Sequence, residues 1–359
     1  MRTIFVVLVG ACMALLLQGC ATPGRLNAVP AKSTAKAEVP GMPGVRYVLT
    51  DGVPAFLKDA QAPLAAEQRT RAIIGAPGPL EPVSYLAVSG GGDNGAYGAG
   101  LLNGWTAAGN RPEFKLVTGI STGALIAPFA FLGGKYDSML REFYTSVTPD
   151  DILEERNKLS ALFKDGLADN APLKRLVQKV ITADMLEEIA AEHAEGRILL
   201  VATTNMDARR PVIWNMTKIA ASGHPDRLHL FQEILVASAA IPGAFPPTMI
   251  DVEVDGKPYQ EMHVDGGAFA QVFVYPAAFE LKKVGIEAGA DRQRTLYIIR
   301  NSKLMPDWSE VERKTLPPRV DLAYKVFYGT QGFLIGEATY RFEHAGNRYV
   351  KFDEVHSAS

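Results

Sequence analysis

The sequence predicts an α/β fold with a largely parallel sheet, and three observations lead there. Short apolar and β-branched runs at 83–88, 114–117 and 197–203 recur along the chain, with helical stretches between them. The first two of these runs end directly in glycine-rich turns. The composition, 359 residues with 47% hydrophobic and 21% charged, is globular and ample for one large α/β domain.

The N-terminus reads as targeting rather than fold. Arg2 gives a minimal positive region, and residues 4–17 form an apolar run too short to span a bilayer comfortably. Leu17-Gln18-Gly19-Cys20 follows and resembles a bacterial lipobox, which is cut before a cysteine that then carries lipid. Gln18 departs from the small or apolar residue commoner there, and an ordinary signal peptide with an incidental cysteine is the alternative. Of the two cysteines, Cys12 lies inside the signal. Cleavage would leave only Cys20, occupied by lipid, so no intrachain disulfide is expected despite an exported, oxidising setting. Export also argues against a soluble dinucleotide cofactor. The net charge of -2, with no block of like charges, argues against a nucleic-acid partner, and the lack of a basic stripe argues against strong binding to anionic lipid.

Residues 21–44, rich in Pro, Ala, Gly and Lys, read as a flexible tether. An amphipathic helical stretch occupies 55–74, with Pro63 interrupting or starting it. The strand at 83–88 runs into Ser89-Gly90-Gly91-Gly92-Asp93-Asn94-Gly95, and a helix over 96–108 follows with small residues on one face. The strand at 114–117 ends at Gly119-Ile120-Ser121-Thr122-Gly123. Residues 121–132 form the next helix, which Pro128 should kink or cut short because its ring clashes with the preceding turn. Further strands are expected at 197–203, 211–216 and 296–300, separated by helices such as 185–194. There is no internal repeat.

Three motifs can carry chemistry. The Gly-x-Ser-x-Gly pattern around Ser121 presents a nucleophile when a strand enters and a helix leaves, as here. Gly119 and Gly123 leave room around the serine, and the helix N-terminus favours a developing oxyanion. The plain alternative makes Ser121 an N-cap. The glycine loop matches the dinucleotide pattern Gly90-x-Gly92-x-x-Gly95, but the next strand ends in the serine motif instead of the acidic residue that would hold a ribose. No Gly-Lys-Ser/Thr is present, so a P-loop is excluded. An oxyanion hole fits better, since consecutive glycines let several N–H groups converge with no Cβ in the way. Asp265-Gly266-Gly267 follows an extended stretch at 259–264, and is either a turn or a carboxylate aimed at a serine.

A Ser–Asp–His order is nominally available from Ser121, Asp207 or Asp265, and His344. His344 sits in no turn signature and reads as structural. His263 would share a strand face with Asp265, where coupling competes with a structural role.

Taken in order, Gly90-Gly91-Gly92-x-x-Gly95, Gly119-x-Ser121-x-Gly123 and Asp265-Gly266-Gly267 resemble the patatin-like phospholipase family. The run from Ala237 through Ser238 and Pro242 to Pro247 resembles that family's proline-rich segment before the aspartate. The resemblance covers 83–278 and implies a three-layer α/β/α sandwich with a mostly parallel central sheet. It further implies a Ser–Asp dyad without histidine: Ser121 as nucleophile, Asp265 as base, and the N–H groups of Gly90, Gly91 and Gly92 as oxyanion donors. The family usually has Arg or Lys where Asn94 stands, and Asn and Pro near Gln271 and Val272.

A free aspartate, with a pKa of about 3.9, is a poor base toward a hydroxyl, and burial would strengthen it. The expected organisation is a signal peptide over 1–19, lipidated Cys20 and tether over 20–54, and a helical extension over 55–82. A catalytic domain over 83–280 and a C-terminal part over 281–359 packing on it complete the chain. The expected function is acyl-ester hydrolysis on membrane lipid, with no cofactor or metal, by a lipoprotein of the bacterial outer membrane facing the periplasm. A general carboxylesterase or thioesterase, and a non-catalytic lipid-binding envelope lipoprotein, are the alternatives.

Overall fold

A computed structural model describes residues 24–49, 51–75, 80–146, 154–155, 168–274, 292–302 and 348–353. A nine-stranded sheet organises them. Its strands are β1 (Arg46–Val48), β2 (Val83–Val88), β3 (Phe114–Gly119), β4 (Ile198–Asn205), β5 (Arg210–Asn215), β6 (Thr248–Val254), β7 (Lys257–Asp265), β8 (Arg294–Arg300) and β9 (Arg348–Asp353). Along the sheet they run β1-β5-β4-β3-β2-β8-β9, with β7 pairing both β4 and β6. From β9 to β4 every neighbouring pair is parallel. Antiparallel pairing joins the two tight hairpins, β4 with β5 and β6 with β7, and also the sequence-distant pairs β1 with β5 and β4 with β7. Tight connections permit only antiparallel neighbours, whereas parallel ones need a crossover.

The helices are α1 (Val53–Ile73), α2 (Gly95–Ala107), α3 (Thr122–Leu132), α4 (Asp137–Thr145), α5 (Ala171–Val180), α6 (Ala183–Ala194), α7 (Met216–Ala221) and α8 (Arg227–Ser238). Alternate strand residues face opposite sides of the sheet, which sets the layers. Leu86, Val88, Val117, Leu199, Val201 and Trp214 share one core with Ile126 and Phe129 of α3 and Phe231 and Ile234 of α8. On the other face, Leu200, Ala202 and Ile213 cluster with Tyr47 and with Phe56 of α1, and Ala87 and Ile298 with Leu57 and Ala60 of α1. The result is the expected sandwich. Every residue of α3 is buried, and the helix continues through Pro128 to Leu132. A helix that is apolar on all sides belongs in such a central place.

Three expectations need correction. Residues 24–49 are not a tether. Val29, Ala37, Val39, Met42, Val45, Tyr47 and Val48 are buried, and β1 adds to the sheet antiparallel to β5 with Tyr47 opposite Ile213. The segment combines a 3-10 helix over Ala31–Lys36, turns and the short β1, so its apolar residues follow no single helical or strand period. Second, α1 runs unbroken from Val53 to Ile73, so the chain is not interrupted at position 63. Third, a domain boundary at 280 cuts the sheet: β8, the late strand expected at 296–300, is inserted between β2 and β9, with Ile299 opposite Val88. Cys20 and the leader lie outside the described residues. Among the described residues no helix is long and apolar enough to cross a membrane.

Candidate active site

The serine motif forms a sharp elbow between β3 and α3. Ser121 has φ 55° and ψ -126°, a left-handed conformation that costs a non-glycine residue on the order of 1–3 kcal/mol. Backbone crowding explains the flanking glycines. A Cβ on Gly119 would stand 2.4 Å from the Gly123 carbonyl oxygen, and one on Gly123 would stand 2.3 Å from the Val88 carbonyl oxygen. The Ser121 side chain makes no capping hydrogen bond to α3, which removes the N-cap reading. Its hydroxyl instead donates to Asp265 Oδ2 at 2.7 Å, across 144 residues of chain.

Asp265 ends β7 and is fully buried. Its Oδ1 accepts the Gly267 N–H at 2.6 Å, and its own N–H donates to the Ala240 carbonyl at 2.8 Å. Burial pushes its pKa up from 3.8 to about 7, against the lowering effect of the hydrogen bonds from Ser121 and Gly267. The site thus holds a serine hydroxyl against a carboxylate that is a far better base than a solvated one.

The glycine loop lies on the serine: a Cβ on Gly90 would come within 3.1 Å of Ser121 Cβ. One expectation changes here. The Gly90 N–H already donates to the Gln271 carbonyl at 2.9 Å, so it is committed to the fold. Among the described residues, the Gly91 and Gly92 N–H groups have no acceptor. Gly95 starts α2 beside Thr122 and Tyr144, and Gly266 and Gly267 form the turn after the aspartate.

The histidine readings separate cleanly. His263 is buried, with Nδ1 2.8 Å from Thr203 Oγ1 and Nε2 3.0 Å from Glu261 Oε2. Trp214 Nε1–H, which can only donate, also reaches Thr203 Oγ1 at 2.8 Å. Ionised Glu261 can only accept, so Nε2–H of neutral His263 donates to it, and the Thr203 hydroxyl, while accepting from Trp214, donates to Nδ1. Burial holds the His263 pKa below its ordinary value. Burial also pushes Glu261 up, but the His263 hydrogen bond and Arg46 outweigh it and bring it to about 2. Arg46 Nη1 pairs with Glu261 at 2.8 Å, both side chains being buried. His263 thus shares a strand with Asp265 but spends both nitrogens elsewhere. Asp207 pairs with Arg25, with Nη1 donating to Oδ1 at 3.0 Å, and it is no candidate base. His344 lies outside the described residues. Among the described residues no group of three or more His, Cys, Asp or Glu side chains gathers to hold a metal.

Sequence reasoning missed the residues that shape the elbow and loop. Ser238 accepts the Ser121 N–H at 3.0 Å, and its only sequence signal is its place in the run before Pro242. Asn301, just past β8, bonds both ends of the glycine loop, and nothing local marks it.

The family model for patatin-like phospholipase matches residues 86–278. No curated protein matches the chain. Among solved structures, the chain is similar to VipD from Legionella pneumophila, at 12% identity and a TM-score of 0.33, over 60% of this chain and 50% of that one. The match therefore spans half the length of VipD. The family match takes in more than half of the 359 residues, and the glycine loop, the serine elbow and Asp265 all fall within it; the chain belongs to the patatin-like phospholipase family.

Proposed function

We propose that this protein is a serine hydrolase of acyl esters in membrane lipid, working through a Ser121–Asp265 dyad. The observation that carries the reading is the 2.7 Å hydrogen bond from Ser121 Oγ to a buried carboxylate whose pKa is raised to about 7. As Oγ bonds to the ester carbonyl carbon, Asp265 takes the hydroxyl proton. The carbonyl oxygen becomes an oxyanion facing the glycine loop, where Gly91 and Gly92 offer their N–H groups; one such donor is worth about 3 kcal/mol of barrier. Asp265 then gives its proton to the departing alkoxide as the carbon–oxygen bond breaks, leaving an acyl-serine. Water repeats the cycle: Asp265 accepts its proton, the hydroxyl adds to the acyl carbon, and the proton returns to Ser121 Oγ as the fatty acid leaves.

Membership of an acyl-hydrolase family supports lipid esters as the substrate class. The sequence around Cys20 supports a lipid-anchored protein on the periplasmic side of the outer membrane. A fluorophosphonate probe tests the nucleophile. It should label the native protein at Ser121 and leave Ser121→Ala unlabelled. A folded native protein that resists the probe and hydrolyses no lipid ester would instead favour a non-catalytic lipid binder. Fractionation tests the anchor, which predicts membrane recovery that Cys20→Ser abolishes.

A further inference from the structure

The glycine loop has one turn of its own, with the Asn94 N–H donating to the Gly91 carbonyl at 3.2 Å, and is otherwise held from outside. Ser89 precedes it and α2 follows it, and one buried side chain from a distant part of the chain bonds both. Asn301 Nδ2 donates to the Ser89 carbonyl at 2.9 Å, and Asn301 Oδ1 accepts the Gly98 N–H in the first turns of α2 at 3.1 Å. The Asn301 N–H donates to Ser89 Oγ at 2.8 Å, and Ser89 Oγ–H passes on to the Gly90 carbonyl at 2.7 Å. The Asn301 carbonyl oxygen occupies the place beside Gly91, 1.8 Å from where any Cβ would stand. Asn301 is itself buried.

From these contacts we infer that Asn301 is a positioning residue for the oxyanion donors, acting as a clamp across residues 89–98. Only an amide suits the place, because the two ends of the loop present one acceptor and one donor. Aspartate would face the Ser89 carbonyl with a second acceptor, and alanine would leave both groups unpaired. The clamp touches neither Ser121 nor Asp265 through any hydrogen bond, so it sets where the Gly91 and Gly92 N–H groups sit without tuning the base.

This inference rests on the hydrolase reading, and the test separates the two. Turnover of a water-soluble ester is measured for native protein, Ser121→Ala, Asn301→Ala, Asn301→Asp and Ser89→Ala. A lost or displaced oxyanion donor costs about 100-fold or more in kcat, and Asn301→Ala should approach that figure, with KM within about threefold and the pH midpoint of kcat/KM unmoved. Ser89→Ala, which removes the hydroxyl relay alone, should lose less. If Asn301→Ala fails to fold, Asn301→Asp carries the same expectation and Ser89→Ala the smaller loss. Exchange of the amides at 90–98 in a Ser121→Ala background should quicken on adding Asn301→Asp, while the core strands hold. Folded Asn301 variants with native kcat, a change confined to KM, or a shifted pH midpoint would each overturn the clamp. Native turnover in Ser121→Ala would overturn the hydrolase reading instead, and amide exchange would still decide whether the clamp holds the loop.

Discussion

The hydroxyl of Ser238 accepts the backbone N–H of Ser121 at 3.0 Å and donates to the Ala202 carbonyl at 2.7 Å. The strained elbow is thus tied through α8 to the strand that pairs with the aspartate. Ser238→Ala would leave a buried N–H without an acceptor, which costs about 1–3 kcal/mol. Urea unfolding should show that loss together with a fall in kcat. Ser238→Cys, which keeps a weak acceptor, should recover part of both. Unchanged stability in Ser238→Ala would remove this role.

Ser121→Ala and Asp265→Asn should each abolish nearly all hydrolysis, by about 1,000-fold or more, and the double variant should be little worse than either, as for groups that act as one unit. His344→Ala should keep most activity. His263→Ala should lose stability, because it empties a buried site and takes one hydrogen-bond partner each from Glu261 and Thr203, yet its folded fraction should still turn over. A folded His344→Ala protein that has lost activity about 1,000-fold would point to an imidazole base instead.

The base must be ionised to accept the serine proton. With its pKa pushed up to about 7, kcat/KM should rise with pH and level off above that value. A midpoint near the ordinary carboxylate range, around pH 4, would mean that water reaches Asp265.

The same burial has a stability cost with a definite sign. The folded-state pKa lies above the unfolded one, so Asp265 favours the fold fully only below pH 3.8, and that contribution is lost as pH rises to about 7. Asp265→Asn does not titrate. Its advantage over the native protein should be small near pH 4, grow with pH, and flatten above 7 at on the order of 4 kcal/mol. Melting curves across that range check this, and a gap that does not change with pH would refute it.

Gly91→Val should cut turnover at least about 100-fold, because the loop can no longer bring its N–H groups to the oxyanion. The Asn301 carbonyl must also yield to the new Cβ, so the melting temperature should fall. Added NAD should not raise the melting temperature of the native protein. A clear rise would restore the dinucleotide reading of the loop.

The parts legible in the sequence are those the backbone constrains locally. Gly90, Gly91, Gly119 and Gly123 are glycine because another part of the chain lies where their Cβ would be, and Gly92 because its φ is +56°, and spacing alone records that. Residues 83–88 and 114–117 announced themselves by apolar runs ending in these turns. What stayed hidden depends on meetings between distant segments. Nothing near Asn301 or Ser238 says that a loop and an elbow will arrive beside them. The Gly90 amide looked like a free donor because its acceptor, the Gln271 carbonyl, comes from another part of the chain. The N-terminal segment misled for a related reason: its composition is that of a linker, and its order comes from β5, to which β1 pairs.

That ordered N-terminal segment sets a leash length. Arg25 is already fastened to Asp207 on the body, and Val29 is buried. With the anchor proposed at Cys20, only the four residue steps from there to Gly24 would separate lipid from protein, a reach of at most about 14 Å. The enzyme would then stand directly on the bilayer in a narrow range of poses. Lengthening the leash with an inserted flexible segment would change which way the molecule faces its substrate while leaving every atom of the active site where it is.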